Sequence, residues 1–239
     1  MARTVKKEAY TAKRNQILDA AQRLVYTKGY ERMTLQDILA DVQISSGAFY
    51  HYFDSKPALL EAFIERIKQE TEKPLLPIIH DPSLSAIEKL QGFFDTLDRL
   101  RIAHKADVIK LMRIWYTDDN AIVRLKVDEA VLQQRAPLLT EIVRQGIREG
   151  LFTTAYPDYA GEVILSLLHG MGDTHIRLLL SLDQKRDDDQ RLIEEIVATH
   201  AAYMDAVERV LGVPSHSFYR THAEGVKIWV AALRDDDQT

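Results

Sequence analysis

The stretch TLQDILADVQISSGAFYHYF, residues 34–53, has the pattern of two short helices joined by a tight turn. Thr34 predicts the start of the first helix, because its hydroxyl can cap free amide groups and Asp37 stands three residues later, as in a capping box. The turn follows at residues 42–44, and Ser45 predicts the cap of the second helix. The inward stripe of the first helix consists of Leu35, Ile38, Leu39 and Val42. The sequence therefore predicts a helix-turn-helix.

The second of these helices has two different faces. Its aromatic residues Phe49, Tyr52 and Phe53 follow the i, i+3, i+4 spacing of a buried face. The opposite face carries Gly47, Tyr50 and His51, with small residues on its flanks. Small residues let a helix approach base edges, and the free amides at its N-terminus favour a phosphate. Periodicity alone fits equally well a helical hairpin with an aromatic core and no ligand.

The first quarter of the chain resembles the tetracycline-repressor-like (TetR) family of bacterial transcription regulators. The matching runs, in order and at the family spacing, are residues 17–21, 29–30, 33–35, 37–38, 44–47, 49–53, 55–56 and 59–60. The resemblance implies that the second helix enters the major groove and that Lys56 contacts the DNA backbone. The alternative for Lys56 is an ordinary surface lysine. The DNA contacts predicted in this way are Thr34, Ser45, Ser46, Gly47, Ala48, Tyr50, His51 and Lys56.

Two residues of this segment depart from the family pattern. Gln43 stands where the family usually has glycine, and a left-handed conformation there would cost about 1 to 2 kcal/mol. Ala48 stands where the family often has threonine or serine, so a hydroxyl contact to DNA is predicted to be missing.

Charge and composition narrow the class of protein. The 239 residues carry a net charge of −5, which argues against a general nucleic-acid coat protein. Residues 1–56 nevertheless hold nine basic and six acidic side chains. This end of the chain therefore has a positive net charge, whereas the remainder has a negative one. The absence of cysteine excludes disulfides, thiolate catalysis and cysteine-ligated zinc, and it suits a reducing cytoplasm.

The N-terminus and the hydropathy of the chain give three further expectations. Residues 1–12 read as a basic, mobile arm, which either adds phosphate contacts or does nothing specific. The basic start is followed by polar residues, so a signal peptide is not expected. No uninterrupted apolar run approaches the roughly 18 residues of a membrane helix, and we expect a cytoplasmic protein without membrane contact.

The remainder of the chain reads as helix after helix without a convincing strand pattern. The predicted fold is all-α, with an N-terminal three-helix helix-turn-helix domain and a larger helical-bundle domain for ligand binding and dimerisation. The predicted boundaries are 1–54 for the DNA-binding domain, 55–212 for the effector-binding and dimerisation domain, and 213–239 for a partly helical C-terminal extension.

Two helices near the C-terminal end suggest a seam between two copies of the chain. Apolar residues recur at steps of three and four, and glycines permit close approach, as in a four-helix bundle. Two-fold pairing would also give a palindromic site two recognition helices. The alternative is that both helices pack only within their own subunit. The predicted interface is Ile164, Leu167, Gly170, Ile193, Val197, His200, Met204, Val207 and Leu211.

The larger domain contains residues suited to an apolar cavity with a few polar anchors. The predicted effector pocket is Phe93, Phe94, Leu97, His104, Met112, Trp115, Tyr116, His169 and Asp173. The same spacing is typical of ordinary core residues. His169 and Asp173 share a helical face, but the metal-site pattern is weak, and no cofactor, metal or enzymatic activity is predicted.

Together these patterns predict a sequence-specific DNA-binding regulator. The expected form is a homodimeric repressor of a palindromic operator on double-stranded DNA that an unknown small-molecule effector releases. Two alternatives stay open: a dimeric DNA-binding regulator with no effector, and a helical metal-dependent enzyme.

Overall fold

The computed structural model describes residues 2–103, 105–182 and 189–236, and these ranges form helices without any strand. The predicted all-α fold is therefore confirmed for the described chain. His104 and most of the charged loop predicted at 185–189 lie outside the described residues. The helices are α1 (Ala2–Thr27), α2 (Leu35–Val42), α3 (Ser46–Tyr50), α4 (Lys56–Glu72), α5 (Leu76–Ile79), α6 (Ala86–Ala103), α7 (Lys105–Trp115), α8 (Ala121–Arg148), α9 (Pro157–Leu180), α10 (Asp189–Leu211) and α11 (Ala223–Asp236), with a 3-10 turn at Asp118–Asn120.

The chain divides into two compact units. The first contains residues 1–70 and 111–130, and the second contains 71–110 and 131–239. The division follows contacts, whereas the predicted boundaries at 54/55 and 212/213 divide the chain by function. Those functional boundaries stay a prediction.

The first unit is built around α1, α2 and α3. Ile17 and Ile38 are fully buried, and so is Phe49 on the inner side of α3. The start of α4 adds Leu59 and Phe63, each 1% exposed. Burial of apolar side chains holds these short helices together, because helices of five and eight residues are not stable alone.

The N-terminus differs from the prediction. Residues 1–12 were expected to form a mobile arm, but α1 begins at Ala2 and continues to Thr27. The apolar stripe predicted for residues 13–28 is the same helix, so the arm is an extension of it. The aromatic ring of Tyr10 packs against α3, which explains how this extension is held.

The second unit has its core between α5, α6, α8, α9 and α10. Pro137 lies within α8, which is continuous from Ala121 to Arg148. Gly161 on α9 allows a close approach to α8, because a Cβ there would lie 2.4 Å from the backbone oxygen of Ala136. The fully buried members of this core include Leu75, Leu90, Phe93, Leu139, Val143, Ile164, Val207 and Leu211.

The segment after α10 folds back onto this core. The Glu208 side chain is 1% exposed and accepts hydrogen bonds from the backbone amides of His216 and Phe218 at 3.1 and 3.2 Å. Arg220 donates to the same carboxylate at 2.6 Å. The Phe218 ring lies 5.7 Å from that of Phe94. The predicted C-terminal extension is therefore part of the second unit, and its predicted helix is α11.

None of the described helices combines the length and the hydropathy that crossing a bilayer requires.

Candidate nucleic-acid interface

The start of α2 has the capping box that the sequence predicts. The Thr34 hydroxyl accepts from the Asp37 amide at 3.2 Å, and the Asp37 carboxylate accepts from the Thr34 amide at 2.7 Å. Lys28 also donates to this carboxylate at 2.6 Å. The Lys28 bond, followed by the Thr34 bonds, lowers the pKa of Asp37 well below its usual range. Thr34, a predicted DNA contact, is exposed but already serves as the helix cap.

The turn between α2 and α3 depends on a strained residue. Gln43 ends α2 with φ 54° and ψ 52°, which is the left-handed conformation. The glycine expected at this place would adopt it without a steric cost. The predicted penalty at Gln43 therefore applies, and the turn forms in spite of it because the helices on both sides are anchored in the core.

The outer face of α3 is arranged as the sequence predicts. Ser45 caps the helix by accepting from the Ala48 amide at 3.2 Å. A Cβ built at Gly47 would have no atom within 4 Å apart from its chain neighbours and the backbone of its own helix, and Tyr50 is 52% exposed. Ser46 and His51 are also exposed, whereas Ala48 is half-buried. A flat, small surface followed by a phenol and an imidazole thus faces away from the core.

α1 supplies contacts to the aromatic residues just after α3 that the sequence did not predict. The Tyr10 ring lies 5.6 Å from the His51 ring and 4.8 Å from the Tyr52 ring. The guanidinium of Arg14 lies 4.9 Å from the centre of the Phe53 ring. The only sequence signal for these contacts is the helical spacing of Tyr10 and Arg14, and the prediction of a mobile arm does not use it.

Lys56 is placed beside this surface but is bound to the protein. Its Nζ donates to the backbone oxygen of Tyr30 at 2.7 Å and lies 4.2 Å from the centre of the Tyr30 ring. Burial lowers the pKa of Lys56, although Glu31 and Asp37 act in the opposite direction. Lys56 therefore holds the turn between α1 and α2, and its contact with DNA stays a prediction.

A second support of that turn comes from far along the chain. Asn120 is fully buried and accepts from the Tyr30 amide at 2.9 Å. Its own amide donates to the backbone oxygens of Val25 and Ile114 at 3.0 and 3.1 Å. Arg32 forms an ion pair with Asp119 next to it. Periodicity cannot reveal such a contact, because the two partners are ninety residues apart in sequence.

The predicted pocket residues are divided between the two units. Phe93, Phe94, Leu97, His169 and Asp173 belong to the second unit, whereas Met112, Trp115 and Tyr116 belong to the first. Trp115 packs on Tyr26 with ring centres 6.2 Å apart, and Tyr116 lies under the Arg124 guanidinium. His169 is exposed, and its Nε2 lies 3.7 Å from the Asp173 carboxylate. Among the described residues, no three histidine, aspartate or glutamate side chains converge on a metal position.

The second unit contains a polar pair that was not predicted as a unit. The rings of His175 on α9 and His200 on α10 are nearly parallel, with centres 5.8 Å apart. Both Nε2 atoms are buried and lack a hydrogen-bond partner within the described chain. Burial, assisted by His200 and Arg101, lowers the pKa of His175 to about 4. Burial also lowers the pKa of His200, against the effects of Asp98 and of a bond to the Tyr219 backbone.

The predicted dimer residues require a correction. Five of them are buried in the chain's own core, so they offer no surface to a second copy: Ile164, Ile193, Met204, Val207 and Leu211. The alternative of packing within the subunit holds for these five. Leu167, Gly170, Val197 and His200 are half-buried. Helical periodicity identifies the buried side of α9 and α10. It cannot tell whether the same chain or a second copy covers that apolar face.

A different face of α9 is open. Tyr159 and Val163 are 67% and 44% exposed, and with Leu167 they line a surface groove of about 410 Å³. On α10, Ala198 and Ala202 are exposed one turn apart. Each helix therefore presents a stripe of apolar or small side chains to solvent.

Comparison with known proteins identifies two family regions in the chain. Residues 17–63 match the tetR family of bacterial regulatory proteins, and residues 108–179 match a tetracyclin repressor-like C-terminal domain. The regulator TtgR of Pseudomonas putida is 36% identical over 154 residues, which cover 61% of this chain and 72% of that protein. The nucleoid occlusion factor SlmA of Photobacterium profundum is 30% identical over 148 residues, 59% of this chain and 67% of that one.

Other relatives are matched over shorter regions. The chain spans 42% of a Lactococcus lactis regulator and 48% of the repressor DhaR from a Mycobacterium species. Among solved structures, the complex of SmeT with triclosan has a TM-score of 0.61 at 20% identity, covering 89% of this chain and 97% of the other. A Pseudomonas aeruginosa regulator has a TM-score of 0.57 at 16% identity, covering 82% and 90%. At these identities, the similarity shows that this chain has the same fold as the two solved structures.

Proposed function

Because this chain belongs to the tetR family of bacterial regulatory proteins, whose members are DNA-binding transcriptional regulators, we propose that it is a homodimeric repressor released from a palindromic operator by a small molecule. The observation that carries the proposal is the outer face of α3, where Gly47 is open and Tyr50 and His51 are exposed. We place the regulator in the cytoplasm, where its DNA would be.

The proposed contacts divide into two kinds. Gly47 and Ala48 allow α3 to approach base edges in the major groove, and Tyr50 and His51 donate to phosphate oxygens. Ser45 and Ser46 bring the amides at the start of α3 to a further phosphate. Thr34 and Lys56 stay in the proposal as backbone contacts, although each already binds within the protein.

Fluorescence anisotropy with duplexes tiling the DNA upstream of the gene would test this proposal. With a non-specific competitor present, one tile should bind tightly, and Tyr50→Ala should weaken its binding by about tenfold, the equivalent of roughly 1.4 kcal/mol. Tyr219→Ala removes an equally exposed tyrosine, 52% in both cases, from the segment after α10 and serves as the control. Unaltered affinity in Tyr50→Ala would contradict the assignment of α3.

We infer that two copies pair through the open face of α9. Tyr159 and Val163 supply exposed apolar surface, and the small Ala198 and Ala202 on α10 let a second helix pair approach closely. Pairing gives two α3 helices, which fit successive major-groove faces about 34 Å apart. A lone five-residue helix offers few contacts, so dimerisation supplies the affinity.

Sedimentation equilibrium would test this interface. Val163→Arg buries an unpaired charge in the proposed seam and should convert the dimer to monomer. Leu125→Arg changes a residue of α8 that is 63% exposed and is the matched control. A Val163→Arg protein that stays dimeric would place the interface elsewhere.

We further infer that an effector binds in the second unit beside His175 and His200. Phe94 and Leu97 are half-buried apolar residues of this unit, and the two unpaired Nε2 atoms supply polar anchors. His200 is hydrogen-bonded to the Tyr219 backbone, so its neutral ring carries a lone pair on Nε2. A mainly apolar molecule with one hydroxyl or N–H donor fits this chemistry.

Triclosan is a suitable first probe, because it is a phenol and is bound by the structurally similar SmeT. An effector at about one hundred times its dissociation constant should stabilise the protein by about 2.7 kcal/mol and release operator DNA. A set of substituted phenols should be tested beside it, with His200→Phe as the variant that loses the acceptor. A thermal shift without DNA release would indicate binding that does not regulate.

A second candidate is a DNA-binding dimer with no effector. The similarity to SlmA favours it, because that protein is named for nucleoid occlusion. Such a regulator would show neither a thermal shift nor DNA release with any member of the phenol set.

A further inference from the structure

The first turns of α1 lie outside the part of the chain that matches the family. The family match begins at residue 17, whereas α1 begins at Ala2 and is continuous to Thr27. This extension contains five basic residues and one acid, Glu8, before residue 15. It is therefore a positively charged segment on a protein whose net charge is −5.

The basic positions 7, 13 and 14 of the extension share one face of the helix with position 10. At about 100° per residue these four positions fall within an arc of about 120°, and position 8 falls outside it. Ile17, Ala21 and Val25, which are buried in the core of the first unit, lie within the same arc. The charged face is thus the continuation of the core-facing side of α1.

Contacts of two side chains fix the direction of this face. Tyr10 packs on the rings of His51 and Tyr52, and Arg14 lies over Phe53. Lys7, one turn before Tyr10 on the same face, is exposed. Because α1 is continuous, Lys7 lies one turn before Tyr10, on the side of α1 that contacts the His51 end of α3.

We propose that this extension is a second DNA-contact surface, on which Lys7 binds a backbone phosphate beyond the base pairs that α3 reads. The inference rests on the proposed DNA binding by α3. Tyr10 positions the extension, because its ring joins α1 to the end of α3. The surface binds phosphate without reading sequence, so it contributes to non-specific and specific affinity alike.

The salt dependence of binding tests this surface directly. Affinity of the full-length protein would be measured at several salt concentrations for a random-sequence duplex of about 30 base pairs and for the best upstream tile. Each lost phosphate contact reduces the slope of log affinity against log salt by about 0.9, so Lys7→Ala should reduce it by about 1.8 in a dimer on two half-sites.

Two variants make the result specific. Lys7→Arg keeps the charge and should retain the wild-type slope, whereas Lys126→Ala removes an exposed lysine from α8 and should leave the slope unchanged. A Lys7→Ala slope equal to that of Lys126→Ala would overturn the proposal, even with operator preference intact. A reduced slope on both duplexes without preference for any tile would support the surface and contradict sequence-specific reading by α3.

Discussion

Two regions of the molecule contain buried polar atoms, and they differ in how those atoms are satisfied. At the turn between α1 and α2, Asn120 is fully buried and makes three hydrogen bonds. Between α9 and α10, His175 and His200 stack with both Nε2 atoms unpaired among the described residues. A satisfied buried amide stabilises one arrangement, whereas an unpaired buried imidazole reduces stability and is available to a ligand or a proton. The comparison separates a structural support from a candidate sensing site.

The largest expected effect comes from removing the satisfied group. Asn120→Ala leaves the Tyr30 amide buried without an acceptor and opens a small cavity, so unfolding free energy should fall by about 3 kcal/mol. Urea denaturation would measure this loss. Asp118→Ala, an exposed neighbour, should change stability by less than about 0.5 kcal/mol. Equal effects in the two variants would mean that Asn120 does not hold the turn.

An intermediate effect is expected from pH at the unsatisfied pair. The pKa of His175 is lowered to about 4 in the folded protein, mainly by burial, from 6.5 in the unfolded chain. The unfolded state therefore takes up a proton first, and the associated stability is present above about pH 6.5 and lost as pH falls towards 4. Because the ring is part-exposed, solvent screens part of this effect, and we expect a loss of about 1 to 2 kcal/mol.

Thermal denaturation between pH 7 and 4.5 would measure this dependence, with His175→Phe as the comparison. The phenylalanine ring keeps the packing and cannot titrate, so its stability should change less over this range. Parallel curves for the two proteins would show that other groups cause the acid sensitivity.

The smallest effect concerns the turn that α3 depends on. Gln43→Gly relieves the left-handed strain, but glycine also loses more chain entropy on folding, so we expect a net gain of about 0.5 to 1 kcal/mol. Chemical denaturation would detect it, and Gln36→Gly, an exposed position inside α2, should instead destabilise the protein. A loss of stability in Gln43→Gly would indicate that the glutamine side chain contributes a contact outweighing the strain.

The helix-turn-helix was predictable because its determinants are local. The capping box of Thr34 and Asp37, the Ser45 cap and the inward ring of Phe49 all act within a few residues of each other. The outer face of α3 follows from helical spacing once Phe49 is placed inside. The TetR resemblance, carried by the same local motifs, is confirmed by the family matches.

Predictions failed where they depended on which partner covers a face. The apolar spacing of Ile193, Met204 and Val207 was real, but the chain's own core covers these residues. Residues 1–12 lack an apolar pattern, which predicts a mobile arm, although Tyr10 belongs to α1 and packs on His51 and Tyr52. Both errors concern tertiary contacts that periodicity does not encode.

By itself, the sequence determined the all-α class, the helix-turn-helix and the family, because caps, helical periods and turn residues act over one or two turns. Only the tertiary structure decided that Asn120 supports the turn at Tyr30, that Glu208 organises the C-terminal segment, and that His175 meets His200. These groups are far apart in the chain, and a buried polar atom finds its partner only when the helices have packed.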